Sequence, residues 1–88
     1  MNITVAYYYF HQNNVAFKTF KVDKETHKCY FANGRRYSKD EIGTPIIKYI
    51  SSYPYIELIM VDASEETLRD GLSKWFSDKA YQVWKIKN

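Results

Sequence analysis

The residues able to do chemistry in this chain are few and scattered. His27 and Cys29 stand two apart, a spacing that would put an imidazole and a thiol on one side of a strand. Such a pair could ligate a metal ion or form a Cys–His nucleophile. His11 is the only other histidine, and two ligands do not make a structural zinc site, so no metal is expected. Cys29 on a short strand reads as a small buried apolar side chain. The carboxylates form two groups, Asp40 with Glu41 and Asp62 with Glu65 and Glu66. Each group falls where a helix would begin, and capping and the helix dipole account for it. The three glycines are widely spaced, so there is no phosphate-cradling loop, and no Gly-x-Ser-x-Gly elbow occurs. The expectation is a protein with no catalytic residues and no cofactor, not an enzyme.

Two constellations fit recognition instead. The first is Tyr7-Tyr8-Tyr9-Phe10. Alternate strand residues face opposite ways, and the aliphatic Ile3 and Val5 are expected to face the helices, carrying Tyr7 and Tyr9 with them. Tyr8 and Phe10 then point to an open sheet face. Tyr30 joins them if Cys29 and Phe31 are the core residues of their strand. An exposed aromatic face of this kind can hold a protein partner or stack unpaired bases. The second is Arg35-Arg36 after Asn33-Gly34. A tight turn there would push both guanidinium groups outward, each able to grip a phosphate or carboxylate with two hydrogen bonds. Tyr8, Phe10, Tyr30, Arg35 and Arg36 are the expected partner-binding residues. Lys18, Lys21 and Lys28 with Arg35 and Arg36 are the residues that would hold nucleic acid.

These groups need elements to position them. Ile3–Phe10 and Val15–Val22 read as strands joined by a turn at residues 11–14, and Lys28–Ala32 as a third strand. Together they predict an antiparallel meander. Asn33-Gly34 suits positive φ at both turn positions. Ser38 looks like a cap with Glu41 three residues on, and Ile42, Ile46, Ile47 and Ile50 have helical spacing, so a helix is expected from about Pro45 to Ser52. Leu58–Val61 is a continuous apolar run that suits a strand buried on both faces. Asp62 or Ser64 then caps a helix whose Leu68, Leu72, Trp75 and Phe76 form one apolar stripe. Gly71 beside that stripe predicts a close backbone approach. Tyr81–Lys87 reads as a closing strand which, if it shares a sheet with the Leu58–Val61 strand, runs parallel to it. The expected fold is α+β, one domain over residues 1–88 in the order β-β-β-α-β-α-β. Its sheet would be mixed and five-stranded, an N-terminal meander plus a C-terminal βαβ unit, with two helices on one face.

Composition narrows the class further. The chain of 88 residues has room for one core but hardly for a deep enclosed site. Nine tyrosines are more than such a core can hide, and tyrosine is enriched at recognition surfaces. Charge is segregated: Lys18–Lys39 carries seven bases and two acids, Asp40–Asp70 two bases and seven acids, and residues 1–17 no charge. No signal peptide or membrane span is visible, and a lone cysteine suits a reducing cytoplasm. In size, composition and lack of catalytic motifs the chain resembles small accessory proteins of phages and mobile elements, among them anti-CRISPR and anti-restriction inhibitors. That resemblance carries no residue over. The excess tyrosine, the separated charge blocks and the absent catalytic signatures point to a non-enzymatic protein-binding module, and the resemblance implies inhibition by covering a partner's functional site. The alternative is a nucleic-acid-binding domain using the basic hairpin and exposed tyrosines, and a small enzyme is the third reading. A homodimer through the open sheet face is a further expectation.

Overall fold

Strand β1 (Asn2–Tyr9) turns back through residues 10–13, one residue before the turn expected at 11–14, into β2 (Asn14–Lys21). Asn13 at φ 49° closes the turn. The chain then changes sheets within one peptide unit. The Val22 N–H donates to the Met1 carbonyl at 3.0 Å, whereas the Asp23 N–H donates to the Phe31 carbonyl at 2.8 Å. From Asp23 onward the chain builds a second, three-stranded sheet from β3 (Lys24–Glu25), β4 (Cys29–Ala32) and β5 (Arg35–Ser38). Asn33 and Gly34 take φ of 51° and 75° in its hairpin, the conformation expected of that dipeptide. Ser38 both ends β5 and caps a 3-10 turn at Lys39–Glu41, its hydroxyl accepting from the Asp40 N–H. Strand β6 (Ile46–Ile50) and β7 (Tyr53–Val61) follow, and then helix α1 (Glu65–Trp75).

The computed structural model describes residues 1–77. Over these residues it is a small α+β domain of seven strands and one helix, with sheet orders β2-β1-β7-β6 and β3-β4-β5, antiparallel throughout. The larger sheet is filled on both faces. On one, Leu68 and Leu72 of α1 meet Ala6, Ile56 and Leu58. On the other, Ala32 and Tyr37 of the second sheet meet Ile3, Val5 and Ile59. Gly71 is the close approach its position predicted: a Cβ there would stand 3.1 Å from Leu58 Cδ2. Ser64 caps α1, its Oγ accepting from the Thr67 N–H at 3.2 Å. Asp62 is left free to accept from the Asn2 N–H at 2.8 Å.

Four expectations are corrected. The sheet is not mixed and five-stranded with two helices; two antiparallel sheets and one helix take its place. The third strand of the expected meander belongs to the second sheet. The helix expected over Pro45–Ser52 is strand β6, because its isoleucines pair residue for residue with β7, from Ile46 opposite Glu57 to Ile50 opposite Tyr53. Lastly, α1 lies over the Ala6 and Tyr8 side of β1, not over Ile3 and Val5. Both sides of β1 are apolar, and both are covered. The closing strand expected at Tyr81–Lys87 lies outside the described residues. Among the described residues no helix is long and apolar enough to cross a membrane.

Candidate functional site

The apolar run of β7 is broken by one charge, Glu57, and the strand buries it: the residue is 2% exposed. Burying a carboxylate requires partners. Arg35 reaches it from the second sheet with two parallel bonds, Nη1 to Oε2 at 2.8 Å and Nη2 to Oε1 at 2.6 Å. Lys48 donates to Oε1 at 2.8 Å from the neighbouring β6. Burial would raise the Glu57 pKa, but the hydrogen bonds from Arg35 and Lys48 outweigh it and hold the group below the ordinary 4.5. The same bond raises the pKa of Arg35. Burial first, and the Glu57 charge second, push the Tyr7 hydroxyl up to about 12. The carboxylate is thus ionised and fully engaged at neutral pH. Its chemistry is that of a clasp between three strands of two sheets, not of a general base.

Aromatic rings continue this face toward the end of the sheet. Tyr9 stands opposite Tyr55 with ring centroids 5.8 Å apart, and Tyr7 stacks on Tyr9 at 6.5 Å. Lys18 Nζ lies 6.0 Å from the centre of the Tyr7 ring. His11 and Tyr53 close the end, 5.0 Å apart. Beside them the β6–β7 hairpin turns through Ser51 and Ser52, with Ser51 at φ 55°. Here the large apolar side chains come out: Ile47 is 44% exposed, Tyr49 68%, Ile50 56% and Tyr53 57%. Alpha-1 packs on β1 and β7, and four strands are wider than one helix, about 19 Å against 10–12 Å. Beta-6 therefore lies beyond the helix at the edge of the sheet.

The residues singled out from sequence separate. Tyr8 lies under the helix end, its ring 4.8 Å from that of Phe76, and its hydroxyl donates to Asn13 Oδ1 at 2.6 Å. Phe10 meets the same ring at 6.1 Å. Tyr30 is half-buried on β4, beneath the Lys39 ammonium at 4.8 Å. Arg35 does not point outward as expected. Strand alternation puts it on the side of the buried Tyr37, whose ring it covers at 4.5 Å, and leaves only Arg36 facing solvent. Lys18 and Lys21 sit on the outer strand of the large sheet, whereas Lys28 lies in the bend before β4 and Arg36 on β5 of the small one. Cys29 is half-buried and His27 exposed. No group of three or more His, Cys, Asp or Glu among the described residues is placed to hold a metal ion. Sequence reasoning passed over Glu57, Lys48 and the hairpin apolar residues. A single carboxylate inside an apolar strand was the available signal for the first. No family model, curated protein or solved structure matches this chain.

Proposed function

We propose that this chain is a non-enzymatic protein-binding module whose contact surface is the β6–β7 hairpin and the β6 edge. One observation carries the reading: Ile47, Tyr49, Ile50 and Tyr53 expose large apolar surface within one hairpin at the border of a sheet. By the register Ile47 and Tyr49 lie on the α1 side of the sheet and Ile50 and Tyr53 on the other, so the apolar surface wraps the edge. Exposed apolar surface marks interaction sites, and aromatic residues are enriched in them. An edge strand also offers unpaired backbone groups to an incoming strand. The only charge in β6 is Lys48, already tied to Glu57, so the hairpin presents little repulsion to an apolar partner. A second copy of the chain is one such partner. Inhibition by covering a partner's functional site, in the manner of small phage inhibitors, is supported by the chain's size and composition. The lone Cys29 suits a cytoplasmic setting.

A nucleic-acid reading is favoured by Lys18 over the Tyr7 ring, beside the stacked Tyr9 and Tyr55. It is weakened by the engagement of Arg35 with Glu57 and by the separation of the other bases over two sheets.

The test is affinity capture from cell extract, with light scattering on the purified chain, comparing wild type with an Ile47→Lys/Tyr49→Lys variant. Both side chains are exposed, so the variant should melt within about 1 kcal/mol of wild type. Loss of a captured protein or of self-association in the variant alone is the expected result. The same captured proteins and the same mass in both would overturn this surface.

A further inference from the structure

The opposite edge of the large sheet has a different chemistry. We propose that the outer edge of β2 receives an extended acidic peptide segment as an added strand. This concerns the border away from the β6 hairpin and does not rest on the reading given for that hairpin.

Among the described residues β2 is the terminal strand, paired with β1 alone. Its eight residues include Lys18 and Lys21 and no acid. The register assigns these bases to both faces. Lys18 stands opposite Val5, on the side of the second sheet, and Lys21 stands opposite Asn2, on the side of α1. A third cation joins on the helix side, where the Arg69 guanidinium lies 4.8 Å from the centre of the Phe17 ring. Beyond Arg69 a hollow opens between β2 and α1, lined by Tyr8, Val15, Leu72 and Phe76. Asp23 lies past the end of β2 beside Lys21, and Glu65 and Glu66 stand one turn before Arg69 on α1.

An incoming strand therefore meets cations above and below its plane and one apolar hollow near the Val15 end. Positive potential on both faces selects acidic side chains, since a lysine-bearing strand would face like charge. The edge itself selects a peptide over a nucleic acid. Its alternating N–H and C=O groups are matched by another extended backbone and not by phosphates. An antiparallel strand opposite residues 21 to 15 would carry acids across from Lys21, Lys18 and Phe17, and an apolar residue across from Val15. Read from its N-terminus, that strand is Glu-Val-Thr-Glu-Glu-Val-Leu.

The experiment uses the full chain and this heptapeptide, end-capped and fluorescein-labelled, followed by anisotropy at low salt. Three other probes accompany it: the same peptide with lysine for each glutamate, one N-methylated at the alternate amides that would face β2, and a labelled single-stranded oligonucleotide. The glutamate peptide should bind at least about tenfold more tightly than the lysine and N-methylated forms, a difference well within reach of charge pairing and strand bonding. A Lys18→Glu/Arg69→Glu variant, altered only at exposed side chains, should invert the preference between the two charged peptides. Equal binding of the two, full binding by the N-methylated peptide, or no binding of the glutamate peptide at roughly 1 mM would overturn the proposal. So would tighter binding of the oligonucleotide that the same variant abolishes.

Discussion

The two faces of the large sheet are closed by different means. Under α1 the contact is apolar, with Leu68 and Leu72 set against Ala6, Ile56 and Leu58. Against the second sheet the apolar contact is confined to the end near Ile3, Val5 and Ile59. Toward the middle of the sheet it gives way to Glu57 held by Arg35 and Lys48. A helix brings a continuous stripe and needs no polar device. A three-stranded sheet of short strands has little apolar surface to offer, and a charged clasp extends its reach. The helix face should consequently be indifferent to pH, and the other face should not be.

The largest effect expected is on the helix face. Leu68→Ala should cost about 3–4 kcal/mol by urea denaturation, the range for an aliphatic side chain deleted from a fully buried site. The loss should be the same in mild acid as at neutral pH. A loss that shrinks on acidification would break the contrast.

Glu57→Ala should cost somewhat less, about 2–3 kcal/mol, because the two stranded cations are partly exposed. Here the pH dependence is the sharper reading. The carboxyl pKa lies below 4.5 in the folded chain, so the unfolded chain binds protons first as pH falls. The clasp's contribution is complete above that value and disappears as pH drops through the folded pKa. Wild type and Leu68→Ala should share this acid slope, and Glu57→Ala should lose much of it. Unchanged acid dependence in Glu57→Ala would mean that the clasp does not hold the second sheet.

The smallest effect belongs to Gly71→Ala. Helix propensity favours the alanine by about 1 kcal/mol, whereas its Cβ would press on Leu58 Cδ2 at 3.1 Å. The two nearly cancel, and thermal melting should show a net change below about 1 kcal/mol. A clear stabilisation would show that the helix face has more slack than its packing implies.

What could be read from the residues divides along the same line. The stripe from Leu68 to Phe76, the apolar strand at Leu58–Val61, the Asn33-Gly34 turn and the tight approach at Gly71 are local signals found in the fold, although only Leu58 and Ile59 of that strand run are fully buried. Beta-6 was illegible for a physical reason. Ile42, Ile46, Ile47 and Ile50 satisfy a helical period, while β-branched residues also favour strands, and only pairing with β7 decides between them. The same holds for β1, whose two apolar sides gave no basis for choosing which one the helix covers. Arg35 could have been placed: two residues before Tyr37 on one strand, it must share that ring's side. The hairpin surface was hidden by the helical reading of β6, and the β2 border needed the fold to bring Arg69 beside Phe17.

Among the described residues the large sheet has four strands, and that even number has a geometric consequence. With every pair antiparallel, β2 and β6 run in opposite directions. Strands added antiparallel at both borders would run opposite to each other, separated by five strand spacings, or about 24 Å. The molecule would then serve as a short ruler between two extended segments of unlike character, one acidic and one apolar, keeping them apart at a set distance and in opposed polarity.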